Sequence, residues 1–159
     1  MLIKQVNTLC LIGFLSLVNP AWGGESVAPA RHFDPASGFV DLGLTGKQVG
    51  DVKNVYKVPV ILETIPSNAT INMKFVVLTS SICPASYSPT EVFLNGESIH
   101  DIDFREMNDG SKQNINIPLP EKFLKIGPNM IKIISGQCNE GLDSMQFNGV
   151  SMSIDKSSS

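Results

Sequence analysis

Apolar and polar residues alternate along most of this chain with a period of two. The clearest stretch is Ala69 to Ser80, where Ile71, Met73, Phe75 and Val77 share one parity and Thr70, Asn72 and Lys74 the other. That is the pattern of a strand with one face buried. Val76 and Leu78 make its second face apolar towards the end, as in a central strand covered on both sides. Phe39-Val40-Asp41-Leu42, ended by Gly43, reads as a short strand, and Gln48 to Val58 is less regular. Val58 to Ile65 reads as a strand whose early Pro59 argues for an edge or a strand end. Val92-Phe93-Leu94 leads into Asn95-Gly96, a strong hairpin signal, with Ile99 to Phe104 as the answering strand. Ile115, Ile117 and Leu119 alternate up to Pro118 and Pro120, and Glu121 to Ile126 has room for one helical turn. After Gly127-Pro128-Asn129, Ile131 and Ile133 face a core and Lys132 faces water. In the last segment Met145 and Phe147 hold one parity while Val150, Met152 and Ile154 hold the other. The switch falls on Asn148-Gly149, which predicts a β-bulge that keeps both sets inward.

About eight strands joined by Gly, Pro and Asn turns predict an all-β fold, an antiparallel sandwich or barrel. No heptad, long helical period or internal repeat competes with this.

The first residues follow a different pattern. Lys4, the apolar run Leu9 to Val18, Pro20 and the small residues Ala21 and Gly23 form the layout of a secretory signal peptide, with cleavage after Gly23. The run is about half of the roughly 20 residues needed to span a bilayer, so no membrane span is expected after cleavage. The expected organisation is a signal peptide at 1–23, a flexible arm or first edge segment at 24–37, a sandwich at 38–155 and a polar tail at 156–159. The expected location is outside the cytoplasm, secreted or periplasmic.

Among 12 basic and 15 acidic residues only Lys4 leaves with the signal, so the mature balance is 11 − 15 = −4. The signs are mixed and form no basic stripe, which argues against nucleic acid. Cys83 and Cys138 remain after cleavage. In an oxidising compartment an isolated pair reads as a disulfide. It would close a loop for which chain entropy gives roughly 4 kcal/mol. Free thiols are the alternative; a redox or metal pair lacks the C-x-x-C spacing and a nearby histidine.

The ordered set Val92-Phe93-Leu94-Asn95-Gly96, a proline-ended strand, Phe123-Leu124, Gly127-Pro128-Asn129-Met130-Ile131-Lys132-Ile133, and Asp143 ahead of the last strand resembles galactose-binding-like (jelly-roll) domains over roughly residues 57–155. The resemblance implies that Asn95 and Gly96 form a hairpin turn and that Gly127 and Asn129 lead into an inner strand. It implies a fold that binds and rarely catalyses. Asp143 resembles the acidic position near a structural calcium in some jelly rolls; the alternative is a loop carboxylate in water. The cysteine pair and the absence of tryptophan after Trp22 depart from the pattern. Sugar modules stack pyranose rings on aromatic faces. Tyr87, in a Ser/Pro-rich loop, is the exposed aromatic candidate, against a role in loop packing.

His32 and Asp34 form one His-x-Asp pair, and His100, Asp101 and Asp103 a second cluster, which reads as a solvated face or as a zinc or calcium site. Asn68-Ala69-Thr70 fits a glycosylation sequon. No Gly-x-Ser-x-Gly elbow or facing carboxylate pair suggests an enzyme. The expected function is a non-catalytic module for carbohydrate or a cell-surface component; the alternative is a structural domain working by contact with a surface protein.

Overall fold

The computed structural model describes residues 25–49, 54–79, 88–105, 107–136 and 144–154. Eleven strands are present among them: β1 Glu25–Val27, β2 Arg31–His32, β3 Phe39–Asp41, β4 Gln48–Val49, β5 Val55–Leu62, β6 Ala69–Thr79, β7 Thr90–Leu94, β8 Glu97–Ile102, β9 Lys112–Pro118, β10 Gly127–Ile134 and β11 Ser144–Ile154. A single 3-10 turn, Glu121–Phe123, precedes β10. The alternation in the sequence accounts for eight of these strands. The three others, β1, β2 and β4, are two or three residues long, too short to carry a period.

The strands form two sheets. One runs β1-β5-β10-β7-β8, with β2 on the same edge of β5 as β1. The other runs β3-β11-β6-β9, with β4 also against β11. All pairs are antiparallel except β1 and β2, which run parallel to β5. The fold is an all-β sandwich. Its interior is built by the inward parities: Val58, Val60, Leu62, Val92, Leu94, Ile131 and Ile133 from the first sheet, and Ile71, Met73, Phe75, Val77, Met145, Phe147 and Ile117 from the second. Each such side chain, fully buried, contributes about 1.5–3 kcal/mol of transfer free energy. Edge-to-face ring pairs fix the packing, Phe75 on Phe104 at 5.9 Å and Tyr56 on Phe147 at 6.1 Å.

The parity switch in β11 is a bulge. Phe147 pairs with Phe75, then Gly149 pairs with Lys74, and Asn148 is the extra residue. Met145 and Phe147 before it, and Val150 and Met152 after it, all remain buried.

Of the two alternatives for 24–37, a flexible arm or a first edge segment, the structure has the edge segment: from Glu25 it forms an edge of the first sheet. Parallel ladder bonds hold it, with Lys57 Nζ on Glu25 at 2.6 Å and Phe33 anchored in the core. Two expectations change. Pro59 does not mark an edge or a strand end. It lies mid-strand, with β10 on one side. The carbonyls of Lys57 and Ile61 accept from Ala28 and Phe33. Pro59 shares their parity, so its missing N–H faces the gap between β1 and β2, where no ladder bond is lost. Finally, the second face of β6 is open rather than covered, for Leu78 is 38% exposed and Lys74 faces solvent.

Candidate binding face

Asn95 and Gly96 make the β7–β8 turn with φ of 53° and 97°, and Gly127 has φ of 90°. Left-handed backbone at both turn residues is what a two-residue hairpin demands, and Asn-Gly supplies it at least cost. The amides here are consumed internally. Asn95 Oδ1 accepts from Met130 N at 2.9 Å, and its Nδ2 donates to Phe123 O at 2.7 Å and to Asn129 Oδ1 at 2.8 Å. Asn129, 3% exposed, accepts from Lys125 N at 3.0 Å and donates to Lys125 O and Gly127 O. This knot ties the hairpin to the chain entering β10 and leaves nothing for a ligand.

The outer face of the second sheet is different. Directly paired residues share a face, so register builds rows across four strands. One row is Asp41, Ser151, Asn72 and Asn116; the next on one side is Phe39, Ser153, Thr70 and Pro118. On the other side Gly149, Lys74 and Asn114 line up. A groove of about 240 Å³ opens on the β3, β11 and β6 part of these rows, lined by Phe39, Asp41, Asn72, Lys74, Asn148 and Ser151.

Each side chain is placed by local physics. Val40 packs against the core, so the opposite parity turns Phe39 and Asp41 outward, and Phe39 stays 52% exposed. Asp41 Oδ1 accepts from Gly43 N at 2.7 Å, which closes a small turn at the groove rim. Asn72 Nδ2 donates to Ser153 Oγ at 2.7 Å. Asn148 is expelled from the ladder by the bulge and is exposed. An aromatic face beside amides and hydroxyls suits a ligand with one apolar and one hydroxylated surface.

A second hollow, about 330 Å³, lies between Val27, Ala28, Pro29, Leu44, Lys47 and Tyr56. Its phenol is engaged, since the Tyr56 hydroxyl donates to Gln48 O. Burial pushes the Tyr56 pKa up.

Cys83, Tyr87, Cys138 and Asp143 lie outside the described residues, as do residues 1–24 and 155–159. In the other acidic clusters, Asp103 is held by Arg105, whose Nε lies 2.9 Å from Oδ1, and Asp34 Oδ1 accepts from Ala36 N at 2.8 Å. No group of three His, Cys, Asp or Glu able to hold a metal is gathered among the described residues. None of the groove residues was a binding candidate in the sequence, and the most exposed of its apolar ones is Phe39. Its signal was present: in Phe39-Val40-Asp41-Leu42 the phenylalanine shares parity with an aspartate, not with the apolar pair.

Residues 42–158 match the family described as "Cellulose synthase BcsB, first CBM domain", CBM standing for carbohydrate-binding module. The chain belongs to this family. It is thereby a member of a family of non-catalytic carbohydrate-binding modules. The BcsB-module match begins at Leu42, so β1 to β3, and with them Phe39 and Asp41, lie ahead of it. No characterised protein matches in a direct sequence comparison. Among solved structures, the chain is similar to a family 35 carbohydrate-binding module from an environmental isolate. Identity is 24%, coverage 70% of this chain and 74% of that one, and the TM-score 0.36. It is also similar to the isomalto-dextranase of Arthrobacter globiformis T6 complexed with panose, at 15% identity, over 72% of this chain and 18% of that one, TM-score 0.36. At those scores neither superposition bears on the fold, which rests on the strand pairing itself. No helix among the described residues is long and apolar enough to cross a membrane.

Proposed function

We propose that this BcsB-type module binds a β-linked glucan, without catalysis, across the outer face of the β3-β11-β6-β9 sheet, in a secreted or periplasmic setting. The observation that carries the reading is Phe39, an exposed ring at the rim of a groove that also holds the amides of Asn72 and Asn148, the Ser151 hydroxyl and Lys74. The ring packs on the apolar C–H face of a sugar, while Asn72, Asn148 and Ser151 hydrogen-bond its hydroxyls. The rows step from strand to strand at about 4.8 Å, close to the rise per sugar of an extended β-linked chain. A glucan lying across the strands therefore meets one row position per residue.

The test is a glycan array, read with calcium and again with chelator, followed by titration of the best hit. Binding indifferent to chelator and reduced tenfold or more by Phe39→Ala supports the sheet face. Binding unaffected by Phe39→Ala moves the site to Asp143 if it is chelator-sensitive, or to Tyr87 if it is not. A blank array favours a domain that works by protein contact.

A further inference from the structure

We propose that the same groove selects an acidic glycan, one bearing carboxylates, over a neutral one; this rests on the outer sheet face being the glycan site. The chain as a whole is rich in acid, with 15 acidic against 12 basic residues. The outward positions of this sheet reverse that balance. They carry Lys74 and Lys112 and, among the described residues, the lone carboxylate of Asp41. Asp41 is turned back onto Gly43 N at the rim.

The ion pairs among the described residues are Lys57 with Glu25 and Arg105 with Asp103, and neither Lys74, which lines the groove, nor Lys112, on the neighbouring strand, takes part. Lys74 stands opposite Asn114, and Lys112 opposite Val76. That makes the two lysines diagonal neighbours on one face, with Cα atoms about 7–8 Å apart. Edge protection explains a lysine on β9, whose outer side is unpaired among the described residues. It does not explain Lys74, because β6 is paired on both sides, by β11 and β9. Two neighbouring ammonium groups repel each other in the free protein, and a carboxylate between them relieves that repulsion. Ammonium is a compact charge with rotatable donors, able to meet a sugar carboxylate from several directions. The amides of Asn114 and Asn116 extend the donor row on the same side.

The experiment titrates the whole protein with two probes of equal length: a neutral β-linked gluco-oligosaccharide, and its analogue with the C6 alcohols oxidised to carboxylates. The oxidised probe is expected to bind about fivefold more tightly at low salt. The advantage disappears at about 0.5 M salt, where the Debye length is only a few ångströms. The K74Q/K112Q double variant is expected to bring the two probes to the same affinity. Neutral binding with no preference for the oxidised probe at low salt overturns this inference and leaves the glycan site standing. Preference that survives both high salt and the double substitution also overturns it. Failure of both probes to bind overturns the glycan site and this inference together.

Discussion

Two groups of asparagines in this protein face opposite situations. At one end of the first sheet, Asn95 and Asn129 spend their amides on each other and on the backbone of Phe123, Lys125, Gly127 and Met130. On the outer face of the second sheet, Asn148, Asn114 and Asn116 stand in solvent, and Asn72 donates to the Ser153 hydroxyl. Both groups sit beside strands and turns of similar sequence, and Asn-Gly occurs in each, at Asn95-Gly96 and Asn148-Gly149. What separates a structural amide from one available to a ligand is saturation, not residue type. A buried amide must find its partners within the fold, whereas an exposed one keeps them for whatever arrives.

The sharpest way to break this contrast is Asn129→Ala. It strips partners from buried backbone groups around the knot, and we expect a loss of about 3 kcal/mol in urea unfolding. A loss below about 0.5 kcal/mol would mean that the knot is not what holds the hairpin. Phe39→Ala should do the reverse. Stability stays within about 0.5 kcal/mol, as for surface positions without special contacts, while glycan affinity measured by calorimetry falls about tenfold. Asn148→Ala should weaken glycan binding about threefold, roughly one hydrogen bond's net worth, with an unchanged unfolding midpoint. The smallest effect concerns Tyr56, a polar group also spent internally. Burial raises its pKa above the ordinary 10.0, so the folded state favours the neutral phenol. Its contribution is complete below pH 10 and is lost as pH climbs through the raised value. Alkaline denaturation should therefore begin slightly higher in Tyr56→Phe, and phenolate absorbance should show one late-titrating tyrosine.

The hairpin and the bulge were legible because each imposes a local chemical demand. Left-handed φ at two successive residues calls for Asn-Gly, and a parity switch between Phe147 and Val150 calls for an extra residue. For β1 and β2 the sequence left an edge segment and a flexible arm equally open, since their pairing with β5 uses backbone bonds and leaves most of their side chains exposed. The face itself was half legible. The polar parity of Asn72 and Lys74 was plain, but the row Asp41, Ser151, Asn72 and Asn116 joins residues far apart in sequence, and only register brings them together. Phe39 shared the polar parity of Asp41, but a three-residue strand is too short for that parity alone to say which face is left open.

The parallel β1 gives the module a direction under tension. β1 runs the same way as β5, and β11 runs against β6, so Glu25 beside Val55 and Ile154 beside Ala69 lie at opposite ends of the sandwich. A pull between those points slides strands past one another and loads each ladder in shear, instead of peeling it bond by bond. The short β1–β5 joint yields first, and the long β11–β6 joint, which carries most of the groove, is left intact; β3, with Phe39, is loaded only after β1 and β2 have parted. A glycan held on that face would stay gripped while the leading edge of the domain gives way.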